Sequence, residues 1–189
     1  EDEKYWNLFL KPFGLQILHE GVFDKTRQFQ GRTLGTSTFW FTGNIKAHPV
    51  TEGVRHLYLP LYGAGRYPGL IALKYAPEWQ VVVRGHKEAR SHRSGKGGEP
   101  NNVNLDADGT YKNEPPVVAV RQFGEGRIVS YPLSSLFTGM NYGKKLWSHT
   151  VETRGDSVSG RPSDSMRLQM NSYRWLGGKA QKKGGFGGY

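Results

Sequence analysis

The acid–base chemistry open to this chain begins with its six histidines, at positions 19, 48, 56, 86, 92 and 149, because imidazole alone titrates near neutrality without help from its surroundings. His86 and His92 stand six residues apart, which is not a zinc spacing, and no second pair of ligands accompanies them. A serine triad can be assembled on paper from Ser134 or Ser135, His149 and Asp156. Neither serine, however, sits in the G-x-S-x-G turn that would expose its hydroxyl. Oxygen ligands are better patterned. In "NLDADG" the residues Asn104, Asp106 and Asp108 alternate ahead of Gly109, as in the first half of a calcium loop, where alternate side chains converge on the ion. The closing bidentate carboxylate falls out of register, since position twelve is Pro115 and Glu114 comes one place early. Calcium as a cofactor and an ordinary Asx-rich turn both fit these residues.

The glycines of "PPVVAVRQFGEGRIVSYP" (115–132) pose a different question, because Gly124-Glu125-Gly126 has the look of a phosphate cradle. A cradle runs from strand through glycines into a helix, so that the phosphate meets a helix N-terminus. Here the glycines run into "RIVSY", another strand, and the lysine and hydroxyl of a P-loop are missing. The stretch reads as a β-hairpin. The C-terminal "KAQKKGGFGGY" is the remaining candidate surface. Lys179, Lys182 and Lys183 suit phosphates, and Phe186 and Tyr189 suit stacking on bases or sugars. The same glycine-spaced aromatics also suit docking of an extended segment into a neighbouring subunit, or a frayed end.

The elements that must position these groups belong to one domain by length, 189 residues. An aromatic share of 13% requires a core, while 26 glycines and 36% hydrophobic residues leave much of the chain to loop and tail. A net charge of +10 favours polyanionic partners, nucleic acid or acidic polysaccharide. Cysteine is absent, which excludes disulfides, thiolate zinc sites and a cysteine nucleophile, but no compartment. No apolar run approaches the length of a membrane span. A first residue other than Met is what a processed or excised chain would show.

Tyr5–Gly14 reads as a short amphipathic helix with Trp6, Phe9, Leu10 and Phe13 on one face and Gly14 as its left-handed stop. Strands are predicted at 15–18, 36–42, 56–61, 70–74, 80–84, 117–120 and 127–131, with a turn at Ala76-Pro77-Glu78. Residues 85–114 are polar and without period, and read as one long loop. Ser163–Leu176 is the best helix: Pro162, Ser163 and Asp164 start it, Met166, Met170, Tyr173 and Leu176 or Trp175 form its core face, and Gly177-Gly178 ends it.

Four segments in order, "NLFLKPFGLQIL" (7–18), "AHPVTEGVRHLYLP" (47–60), "PPVVAVRQFGEGRIVSYPLSSLF" (115–137) and "NSYRWLGG" (171–178), together resemble the C-terminal half of a non-catalytic class I glutamine amidotransferase-like domain. Trehalose-utilisation-like proteins and the sugar-binding-like domain of intraflagellar transport proteins share that type. The resemblance implies an α/β fold over residues 1–178: a partial flavodoxin-like three-layer arrangement with a mixed sheet, a C-terminal hairpin and helix, a long polar loop, and a tail at 179–189. It places His48 in the "HPVTEGV" turn as a loop cap, and it makes His48 and Glu52 the candidate ligand-binding pair. The first strands of such a domain, with the nucleophile elbow of a true amidotransferase, have no counterpart here. A sheet lacking them offers an open edge to a partner.

These features favour a non-enzymatic assembly or binding module, a homo-oligomer or part of a larger complex, located outside the cytoplasm in an extracellular or periplasmic setting. A carbohydrate-related hydrolase or isomerase is the alternative, requiring His48, Glu52 and Asp106 to share a pocket. Polyanion binding is a third reading.

Overall fold

The computed structural model describes residues 2–30, 38–61, 70–94, 103–131 and 149–178. The chain is mixed α/β, and the described residues form helices α1 (Asp2–Leu10), α2 (His149–Arg154) and α3 (Ser165–Leu176) and ten strands. The strands are β1 (Leu15–Phe23), β2 (Thr38–Thr42), β3 (Asn44–Ile45), β4 (Leu57–Leu61), β5 (Ile71–Tyr75), β6 (Gln80–Arg84), β7 (Arg90–Ser94), β8 (Val103–Asp108), β9 (Pro116–Phe123) and β10 (Gly126–Ser130).

Two four-stranded sheets, ordered β5-β1-β7-β8 and β10-β9-β6-β3, stand beside a β2-β4 pair. Every pairing among the described residues is antiparallel, which corrects the expectation of a mixed sheet. Parallel neighbours need a crossover connection of a dozen or more residues. Here the paired strands β9 and β10 are separated by only two residues. One core joins all three sheets: Val22 of β1, Trp40 of β2, Leu57 and Leu59 of β4, Ala72 of β5, Val82 and Val83 of β6, and Val117, Val118 and Val120 of β9. The run "PVVAV" of β9 is buried on both faces, which explains why it shows no alternation.

The glycine turn is a hairpin. Phe123 pairs with Gly126, and Gly124 takes φ 57° at the corner. Residues 85–114 are not one loop, because β7 and β8 lie within them. "RSHRS" hid its strand because its buried residues, Ser91 and His92, are polar.

Helix α1 passes into a 3₁₀ turn, Lys11–Phe13, which stops as expected at Gly14, whose φ is 67° and whose N–H bonds the Lys11 carbonyl. A Cβ there would also meet that of Ala76 at 2.8 Å, so two constraints require glycine.

Candidate functional site

The "HPVTEGVRH" loop and α3 form one joint. His48 caps the 3₁₀ turn Pro49–Thr51 by accepting the Val50 N–H on Nδ1 at 3.1 Å. Its ring stands edge-on to Trp175, with centroids 5.2 Å apart. Burial holds the His48 imidazole below its ordinary value. Glu52 enters through its backbone, its carbonyl accepting from Asn171 Nδ2 at 2.9 Å, and Arg167 reaches the Gly53 carbonyl at 3.3 Å. Asp164, expected to cap α3, instead accepts the Arg55 and His56 N–H groups through Oδ2 at 2.9 and 3.2 Å. His48 and Glu52 are thus brought together, as parts of a clasp between loop and helix. Asp106 belongs elsewhere, on β8 at the edge of another sheet.

The calcium-loop pattern is a strand. Residues 104–108 lie in β8, extended rather than wrapped around a point. Asp108 is engaged by Lys112 at 3.1 Å and Arg90 at 3.9 Å. Gly109 has a different reason to be glycine: a Cβ there would stand 2.5 Å from Glu20 Oε2 and from Ser91 Oγ. Glu20 accepts from Ser91 Oγ (2.6 Å), Thr110 N (2.8 Å) and Thr110 Oγ1 (2.7 Å), and so pins the end of β8 to β1. Burial pushes its carboxyl up, but these donors outweigh that and hold it below the ordinary value. Among the described residues no three His, Asp or Glu side chains gather as a metal-binding set.

Asp156 has a structural task, accepting the Gln30 and Val158 N–H groups at 3.0 and 2.9 Å. Ser134 and Ser135, and the tail residues Lys179, Lys182, Lys183, Phe186 and Tyr189, lie outside the described residues. Among the described residues no helix is long and apolar enough to cross a membrane.

The two longer helices carry the most prominent surface feature. On α3 the expected core face is the outer one. Met166, Met170, Tyr173 and Leu176 are exposed, while Ser165, Leu168, Asn171 and Ser172 are buried and Trp175 is half-buried. The reason is the loop clasp and the Tyr131–Ser172 hydroxyl pair, which turn the polar side inward. Ser172 donates in turn to the Leu168 carbonyl at 2.7 Å, and burial pushes Tyr131 up to about 12. A shallow cavity of about 190 Å³ opens between Val129, Tyr131, Ser172, Tyr173 and Leu176.

On α1 the predicted face is real but divided, with Leu10 and Phe13 packed against the Leu15–Trp79–Ala119 cluster and Trp6 and Phe9 turned outward. Trp6, Phe9, Phe13 and Phe123 form a continuous ladder of rings with successive centroids 6.1, 5.7 and 5.3 Å apart, and Arg121 closes it 5.0 Å from the Phe123 ring. Tyr5, Trp6, Leu8 and Phe9 are 70, 56, 62 and 61% exposed. Asn7 holds this helix to the sheet with a pair of hydrogen bonds to Ile17, donating to its carbonyl at 3.1 Å and accepting its N–H at 2.7 Å. Periodicity located both faces but could not tell core from surface, because a uniform apolar stripe looks the same in either place.

Comparison of the chain with protein-family models, with curated proteins and with solved structures gives no match.

Proposed function

We propose that this chain is a non-enzymatic binding and assembly module, working as a homo-oligomer or within a larger complex outside the cytoplasm. The observation that carries this reading is the exposed aromatic ladder of α1, continued through Phe13 to Phe123. Scattered surface hydrophobes need no explanation, but contiguous large ones rimmed by charge mark interaction sites. Aromatic side chains supply most of the energy at such sites for little loss of conformational freedom. Lys4, Lys11 and Arg121 provide the rim.

The amidotransferase-like reading belongs to the same proposal, with the three-layer arrangement completed by a partner. Two contacts support it. The "HPVTEGV" turn packs on "NSYRWLGG" through Glu52 and Asn171, and the hairpin joins the same helix where Arg127 donates to the Trp175 carbonyl at 2.6 Å.

Light scattering on a sizing column tests the function. The native chain is expected to run above its 21.2 kDa monomer mass in a concentration-dependent way, and the Trp6→Ser/Phe9→Ser double variant to run as a monomer with its stability nearly unchanged. A native chain that stays at the monomer mass at every concentration overturns the self-association reading.

A further inference from the structure

A second surface is built around one ring. Phe41 of β2 is only 8% exposed, yet two cations lie against it. The guanidinium carbon of Arg161 stands 3.9 Å from the ring centroid, and that of Arg27 5.6 Å. Both are held there by backbone. Residues 27–29 run beside β2 as an additional antiparallel edge, with Phe41 N–H donating to the Arg27 carbonyl at 2.9 Å and Phe29 N–H to the Phe39 carbonyl at 2.8 Å. The 156–161 turn is fastened to this edge by buried Asp156, whose side chain takes the Gln30 N–H and whose own N–H reaches the Arg161 carbonyl at 2.9 Å. Gly155 permits that approach at φ 88°, where a Cβ would come 2.2 Å from the Arg161 oxygen. Beneath Phe41 lies Tyr58, at 5.6 Å between centroids, and its hydroxyl is 3.4 Å from Arg161 Nη1.

Two like charges brought to one ring repel each other, and cation–π attraction offsets only part of that. Among the described residues no carboxylate lies within 4.0 Å of either guanidinium. Burial first, then Arg161 for His56 and Arg27 for His86, keep both nearby imidazoles below the ordinary value against the opposing pull of Asp164 and Asp24, so the positive charge here rests on the two guanidiniums. A guanidinium carries five N–H donors in a planar fork, more than the Nη1 contact of Arg161 with Tyr58 uses, and that fork matches the oxygens of a phosphate or sulfate. Because the ring face is already covered, stacking of a nucleobase is not the mode this geometry offers.

We propose that Arg27 and Arg161, pre-organised on Phe41, form a binding site for a phosphate or sulfate group. The site is independent of the aromatic face of α1, and its test is separate from that of assembly. Calorimetric titration of the full chain with sodium phosphate and with sodium sulfate, at ionic strength held constant by sodium chloride, is expected to show saturable binding. Arg27→Gln and Arg161→Gln each weaken it at least about tenfold, Arg161→Lys retains part of it, and Lys87→Gln, an exposed charge control, leaves it unchanged. Arg27 lends no side-chain hydrogen bond to the described fold, so Arg27→Gln carries the test should the Arg161 variants fail to fold. No saturable response in the native chain, or equal binding by Arg27→Gln and native chain, overturns the proposal. Titration with a heparin octasaccharide and with oligothymidylate of equal charge then separates the two carriers. Arg27-dependent affinity for the former assigns sulfate on polysaccharide, and for the latter phosphate on nucleic acid.

Discussion

Helices α1 and α3 both turn large apolar side chains to solvent, but they are attached to the sheets by opposite means. Helix α3 is anchored through polar groups: Asn171 and Arg167 on loop carbonyls, Asp164 on loop N–H groups, and Ser172 on Tyr131. Among the described residues helix α1 has one polar anchor, Asn7, and otherwise leans on Leu10 and Phe13 against the Leu15–Trp79–Ala119 cluster. The difference teaches that an anchor made of hydrogen bonds to backbone leaves an apolar stripe free. A helix docked by such bonds need not spend its hydrophobic face on its own domain.

Breaking the stronger anchor should have the larger effect. Asn171→Ala leaves the Glu52 carbonyl without its buried donor and is expected to cost about 2 kcal/mol, lowering the melting temperature by roughly 4–8 °C at this chain length. A calorimetric shift below 1 °C would show that the clasp is incidental. Asn7→Ala should cost about 1 kcal/mol and act locally, accelerating exchange of the Ile17 amide while the amides of α3 keep their protection.

The smallest effect sharpens the comparison through pH. His48 and His56 sit at the α3 joint, and burial lowers both below their ordinary value of 6.5. A base with a depressed folded value binds more protons when unfolded, so its burial costs nothing well above 6.5, and stability declines as pH falls through 6.5 toward the folded values. Asn7 does not titrate. Hydrogen exchange at pH 7.5 and 5.5, corrected for intrinsic rates, should therefore show the 48–56 loop and α3 losing protection while Ile17 does not. Equal loss at both helices would remove the distinction.

Much of this was legible in the residues. The hairpin at 116–130 followed from glycines leading into a strand and Gly14 follows a local rule, whereas the His48 cap was implied only by the family resemblance, histidine not being a usual cap. The polar strands β7 and β8 were not legible, because their partners are Glu20, Thr110 and Ser91, brought together only by tertiary contact. Gly109 illustrates the limit. Its place after alternating carboxylates resembles a metal loop, but a crowded carboxylate from β1 is what excludes a side chain there. The Arg27–Phe41–Arg161 stack joins residues far apart in the sequence, and no spacing announces it.

Asn7 has one more consequence. Strand β7 accompanies β1 only from Glu20 onward, and the Ile17 peptide beyond that point is satisfied by a side-chain amide that imitates the next strand. The helix therefore behaves as a plug in a socket. Lifting it would uncover an N–H and a carbonyl already aligned for ladder pairing, so whatever draws the aromatic face of α1 away also opens a backbone slot behind it.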